Sequence, residues 1–336
     1  MVAVIVLHTA AERWGGVEVH SLAWKSFNFY DSIVRWAVPV FTMISGALFL
    51  SPSKNITVKR IYSKHIFRIV LAFFVWSSLY ASRTLLKGNG IKSFLASVIA
   101  GHYHMWFLIM LVGLYMIVPL LRQITANKDL TKYFLLLSFV FTFLIPAVFF
   151  ALRCIDRLYD SGFYDFAQSV YDNINFHFAL GFSFYFVLGY FLSTTSFSKK
   201  LEIICYILGI IGFISTVILS MGISYFLNEP NATFYGNMTI NVMLESIAVF
   251  VFCKIRITNI IKKEQMIKIV QKLSKLSFGV YLIHAFFLEL LEKLGIDTLS
   301  FNPVLSVPCI ALLVFLLSLS VSAILNKIPI VKKYLI

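Results

Sequence analysis

Long apolar runs, separated by short polar or basic connections, recur along the whole chain. A helix that crosses a bilayer needs about 20 mostly apolar residues. The runs that meet or approach this length are Met1–Ala11, Ile33–Leu50, Ile66–Ser82, His104–Leu121, Tyr133–Leu152, Phe176–Ser193, Ile203–Met221, Met238–Cys253, Phe278–Leu291 and Pro303–Leu325. The first of them is short. No internal repeat and no polar stretch long enough for a soluble domain interrupts the series. The pattern predicts an all-α, polytopic integral membrane bundle of about ten transmembrane helices, with residues 1–336 forming a single membrane domain.

Composition agrees. Hydrophobic residues make up 60% and charged residues 13%, and the mean hydropathy of +0.87 excludes an ordinary soluble domain. The 34 phenylalanines and 16 tyrosines suit lipid-facing helices and interfacial belts. The four cysteines are isolated, with no metal-ligand spacing, so no metal is expected. Met1–Ala10 has no basic leader of the kind a cleavable signal peptide carries.

The net charge of +14 would suit nucleic acid, but its placement argues for topology instead. Cations crowd alternate connections: Lys54–Arg68, Arg122–Lys132, Lys199–Lys200, Lys254–Lys275 and Lys327–Lys333. The positive-inside rule puts that side and both termini in the cytoplasm, with no call on nucleic acid as a partner. The opposite connections differ. Arg153–Asn175 sets Asp156, Asp160, Asp165 and Asp172 among Tyr159, Phe163, Tyr164 and Tyr171. Carboxylates beside rings suit a hydroxyl-rich ligand, or simply a solvated loop at the interface.

Several polar groups stand inside the apolar runs. Arg35 opens the second run, with Pro39 one turn later and Ser45-Gly46 beyond it, small enough to let another helix approach. His8 lies in the first run, with Glu12 four residues on and on the same face. An imidazole at that depth suits general-base work, and Glu12 could orient it; the alternatives are an interfacial arginine, a core histidine and a solvated carboxylate. Arg60, Lys64 and Arg68 are spaced i, i+4, i+8, a stripe that fits a polyanion such as a nucleotide phosphate or, alternatively, lipid headgroups. His102-Tyr103-His104-Met105-Trp106 opens the fourth run; its two histidines do not face each other on a helix, which argues against a metal there. Trp106 is a belt residue or a stacking platform. Tyr281 and His284 lie in the ninth run, followed by Glu289, and Glu245 lies in the eighth. Each is a functional candidate or a helix-to-helix hydrogen bond.

Taken together these motifs resemble the membrane acyltransferase 3 family, bacterial O-acyltransferases that include short stand-alone members acting on surface polysaccharides. The resemblance spans nearly the whole chain and rests on His8, Arg35-x-x-Val38-Pro39-x-Phe41-x-x-x-Ser45-Gly46, the stripe ending at Arg68, His104-Met105-Trp106-Phe107-Leu108, and Ser277-Phe278-Gly279-x-Tyr281-Leu282-x-His284. It implies that His8 is essential for acyl transfer, beside which Glu12, from its spacing, and Arg35 are the candidate catalytic partners. It implies that third-helix cations, here Arg60, Lys64 and Arg68, bind a cytoplasmic acyl-CoA, read as acetyl-CoA acting as co-substrate; His104, Trp106, Tyr281 and His284 are the candidates for the acceptor side. The family's usual Arg-x-x-Arg is replaced here by Lys64-x-x-x-Arg68. The acceptor implied is a carbohydrate hydroxyl at the outer face of the bacterial cytoplasmic membrane, with glycan-assembly proteins as partners in the bilayer. A transporter of lipid-linked or nascent glycan is the rival from another class, and a structural or sensor protein a third. The family's arginine about ten residues before the first-helix histidine has no counterpart. With the short first run, this predicts that the first helix begins upstream of Met1.

Overall fold

The computed structural model describes residues 1–336 other than 53, 55, 89, 160–163 and 165–180. Most of the acidic, aromatic loop expected over 153–175 therefore lies outside the described residues. Those described form helices throughout, with no strand among them. In chain order these are α1 (Val2–Trp14), α2 (Leu22–Ser32), α3 (Ala37–Phe49), α4 (Phe67–Leu86), α5 (Gly90–Ala100), α6 (Trp106–Ala126), α7 (Lys128–Phe139) and α8 (Ile145–Tyr159). The remainder are α9 (Gly181–Thr194), α10 (Lys199–Leu227), α11 (Ile240–Phe252), α12 (Glu264–Lys293), α13 (Pro303–Leu325) and a terminal α14 (Pro329–Tyr334). Among the described residues, eight helical stretches are long and apolar enough to cross a membrane, and α5 and α9 are shorter apolar helices. The chain is a polytopic helical bundle.

The long helices reverse the pattern of a soluble helix. On α10 the buried face is small or polar, with Gly209, Gly212, Thr216, Ser220 and Ser224 at helical spacing. Its exposed face carries Ile203, Ile207, Ile210, Ile214 and Ile218. Lipid solvates isoleucine as well as a protein interior does, so close approach between small residues drives packing instead. The α10 glycines accordingly abut α11, where a Cβ on Gly212 would meet the Asn241 carbonyl. The same logic governs the crossing of α3 and α9. A Cβ on Gly46 would collide with the Phe186 carbonyl, and one on Gly189 with the Met43 carbonyl, so the backbones themselves are in contact. Gly46 lets a helix approach as the Ser45-Gly46 pair suggested.

Three departures from the sequence pattern matter for the site. First, the second run is not one helix. Pro39 has no N–H to give the Arg35 carbonyl, and its ring crowds that position, so α2 stops at Ser32 and α3 starts at Ala37 with Pro39 in its first turn. Arg35 thus sits in a break rather than on a helix. Second, α4 is entered through a π-helical turn, Ile61–Ile66. Third, residues 101–105 form a turn before α6.

Candidate active site

Three cavities lie in series through the bundle. The central one, about 290 Å³, is walled by His8 of α1, Arg35 of the α2–α3 break, His104 and Trp106 at the start of α6, and Tyr281 of α12. A second, about 670 Å³, meets the central one at Leu111 and Phe278, which belong to both walls. It carries Lys64, His65 and Arg68 from the α4 entry and Lys333 from α14, and among the described residues no Asp or Glu lines it. A third, about 330 Å³, shares His8 with the central cavity and is acidic, with Glu12, Glu289 and Glu292 around Tyr103. His8 is therefore the one side chain common to the central and acidic spaces.

The His8 ring lies 5.2 Å from Tyr103, edge-on, and 5.2 Å from His284. His104 is 5.0 Å from His284 and accepts, at its backbone carbonyl, a 2.5 Å hydrogen bond from Tyr281. Three predicted histidines from three separate runs thus meet. Glu12 shares the acidic cavity with His8, but among the described residues no hydrogen bond joins them, and its Oε2 is buried without a partner.

Arg35 is held from two sides. Asp31, one turn back in α2 and 1% exposed, is ion-paired to its Nη2. The Tyr235 ring lies 4.1 Å under the guanidinium carbon, and the Tyr235 carbonyl accepts from Nη1 at 3.4 Å. Arg35 Nε is buried with no partner. A guanidinium anchored through its two terminal nitrogens and unsatisfied at Nε is ready to meet developing negative charge.

Two expectations need correction. The stripe Arg60, Lys64, Arg68 assumes a regular α-helix, but Ile61–Ile66 is a π turn with fewer degrees per residue, so the three do not follow regular helical spacing. Lys64 and Arg68 line the 670 Å³ cavity; Arg60 does not. Arg68 Nη2 donates to the Ile336 carbonyl, while its Nε is buried without a partner. On a helix His102 and His104 would diverge. They lie in the turn before α6, where their Nδ1 atoms are 2.9 Å apart.

Side chains outside the expected catalytic and binding set complete the site. His102 Nε2 lies 2.6 Å from Glu289, which is also ion-paired to Arg83 of α4. Burial, reinforced by Arg83, lowers His102 to about 4, and burial lowers His104 well below the ordinary imidazole range. Asp31 had a readable signal, since it stands four residues before Arg35. Arg83, Tyr235 and Lys333 had none.

The family profile of an acyltransferase domain matches residues 1–326. The chain belongs to the acyltransferase 3 family. No curated protein and no solved structure matches it. Membership makes this a membrane acyltransferase and takes the acyl-transfer reading over transport. Of the motifs of the acyltransferase 3 resemblance, His8, Arg35, Val38, Phe41, Ser45, His104 and Tyr281 wall the central cavity, His284 packs against His8, and Arg68 lines the basic one.

Proposed function

We propose that this acyltransferase moves an acetyl group from acetyl-CoA, bound at the basic cytoplasmic end, to a hydroxyl of a surface or lipid-linked polysaccharide at the outer face. One observation carries the reading: His8 is the shared wall between a cavity leading to a cluster of cations and a cavity lined by carboxylates and a tyrosine. The basic cavity suits the donor's phosphates, which Lys64, Arg68 and Lys333 would neutralise. The pantetheine arm would pass Leu111 and Phe278 into the central cavity, bringing the thioester to His8. The acidic cavity suits the acceptor, because carboxylates accept hydrogen bonds from hydroxyls and Tyr103 offers a ring.

In the reaction the hydroxyl oxygen attacks the thioester carbon as His8 takes its proton. The carbonyl oxygen becomes an oxyanion, to which Arg35 would donate. The C–S bond then breaks, and the proton passes from His8 to the thiolate as free CoA forms. The test is to incubate membranes containing the protein with radiolabelled acetyl-CoA. Label in the glycan fraction that disappears in His8→Ala supports the reading. Label that persists in that variant sinks it.

A further inference from the structure

A chain of hydrogen bonds runs from the acidic cavity into the wall of the central one. It begins at Glu289 of α12, a carboxylate ion-paired to Arg83 of α4. A carboxylate only accepts, so the His102 nitrogen 2.6 Å away, Nε2, must carry a hydrogen. His102 is buried in this network, its ring stacked 4.1 Å over Tyr80, and it is neutral at ordinary pH. Its Nδ1 is then a bare acceptor. The atom facing it at 2.9 Å is His104 Nδ1, which must therefore be the donor. One consequence follows for the cavity. His104 holds its single hydrogen on Nδ1, leaving Nε2 as a lone pair, buried and without a partner.

The surroundings fix this arrangement. The Tyr80 hydroxyl, whose ring supports His102, donates to the Leu282 carbonyl at 2.8 Å and accepts from the Phe286 N–H at 3.2 Å. That ties α4 to α12 on either side of His284. His284 is fixed by the same reasoning: its Nδ1 lies 2.6 Å from the Tyr281 carbonyl, which only accepts, so its Nε2 is a second lone pair, also buried and without a partner. Around His104 and His284 the site thus has acceptors without donors. Buried acceptors of this kind cost stability unless a ligand or water satisfies them. An occupant that brings hydrogens of its own, as a polyol does, fits.

We propose that Glu289 and His102 are positioning residues that hold His104 in the Nδ1–H form, so that His104 Nε2 accepts a hydrogen bond from a hydroxyl neighbouring the one that is acylated. His104 then selects for an acceptor with adjacent hydroxyls, and His8 remains the group that takes the reacting proton. The assignment of a substrate hydroxyl rests on the acyl-transfer reading above; the tautomer does not.

Two readouts on the full chain in lipid nanodiscs separate the two. In ¹⁵N-histidine NMR, the signals lost in His104→Gln identify that ring, and they should report a protonated Nδ1 and a bare Nε2. His102→Leu removes the acceptor and should bring up the Nε2–H form. His102→Asn places an amide oxygen near the lost Nδ1 and should preserve the original form. In the labelling assay at saturating acetyl-CoA, His102→Leu should cut glycan label about 10- to 100-fold, the range seen when an orienting partner is lost. Half-saturation for acetyl-CoA should stay within about two-fold, and His102→Asn should recover most of the rate. A wild-type His104 protonated on Nε2, or a tautomer indifferent to His102→Leu, overturns the relay. A tautomer that shifts while labelling does not overturns the role of His104. No label with the wild-type protein would instead remove the acyl-transfer reading and leave the tautomer result standing.

Discussion

Asp31 gives one carboxylate oxygen to Arg35 and keeps the other buried without a partner. The pair is an i, i+4 contact across the end of α2, and it fixes a guanidinium whose free Nε is buried beside the central cavity. Breaking a buried pair from one side leaves an uncompensated charge, at a cost of about 3–5 kcal/mol. Asp31→Ala should therefore lower the melting temperature in detergent, and Asp31→Ala with Arg35→Gln should regain part of it. Acyl transfer should fall about 100-fold or more in both, since the oxyanion donor is displaced or gone. Stability restored together with activity would remove Arg35 from the chemistry.

The basic cavity predicts a split among cations. Arg68→Ala and Lys333→Ala should each raise the acetyl-CoA concentration for half-saturation about ten-fold, as loss of a charge-assisted contact worth about 1.5–3 kcal/mol requires. Arg60→Ala should change it by less than about two-fold, because Arg60 does not line that cavity. Equal effects at Arg60 and Arg68 would restore the regular stripe.

The α3–α9 crossing predicts a contrast between glycines. Gly46→Leu drives a side chain into the Phe186 backbone and should abolish accumulation of folded protein. Gly113 in α6 has open space where a Cβ would go, so Gly113→Ala should be neutral or stabilise by about 0.5–1 kcal/mol. Yield and melting temperature after detergent extraction read both.

The His102–Glu289–Arg83 network predicts acid sensitivity. His102 is lowered from 6.5 to about 4 by burial first and by Arg83 second. The unfolded chain therefore binds a proton below about pH 6.5 that the folded protein refuses. Stability from this group is complete above that pH and is lost as pH falls towards 4. Melting temperature should drop between pH 7 and 5, and His102→Asn should flatten the drop. A profile unchanged by the substitution would place the sensitivity elsewhere.

The bundle was legible because lipid imposes one rule everywhere: backbone groups must be satisfied within helices, so apolar length alone marks the crossings. His8, Arg35, His104, Tyr281 and His284 stood out for the same reason, each being a polar side chain in or beside an apolar run. What stayed hidden depends on single-residue geometry or on distance. The π turn shifts the basic stripe by one inserted residue, and no pattern in Ile61–Ile66 announces it. The His102–His104 contact needs a turn where the hydrophobic run suggests a helix. Arg83 meets Glu289 across 206 residues of sequence, and Lys333 reaches the basic cavity from the far end of the chain; neither carries a local signal.

The central claim is that His8 joins a donor entering from the basic end to an acceptor on the acidic side. Sealed membrane vesicles of defined orientation test it directly, with radiolabelled acetyl-CoA, which does not cross the bilayer, supplied outside. When the basic face is outward, the account predicts label in glycan inside the vesicle for the wild-type protein and none for His8→Ala. When the basic face is inward, it predicts no label. Label that forms equally in both orientations, or that survives His8→Ala, would contradict the account.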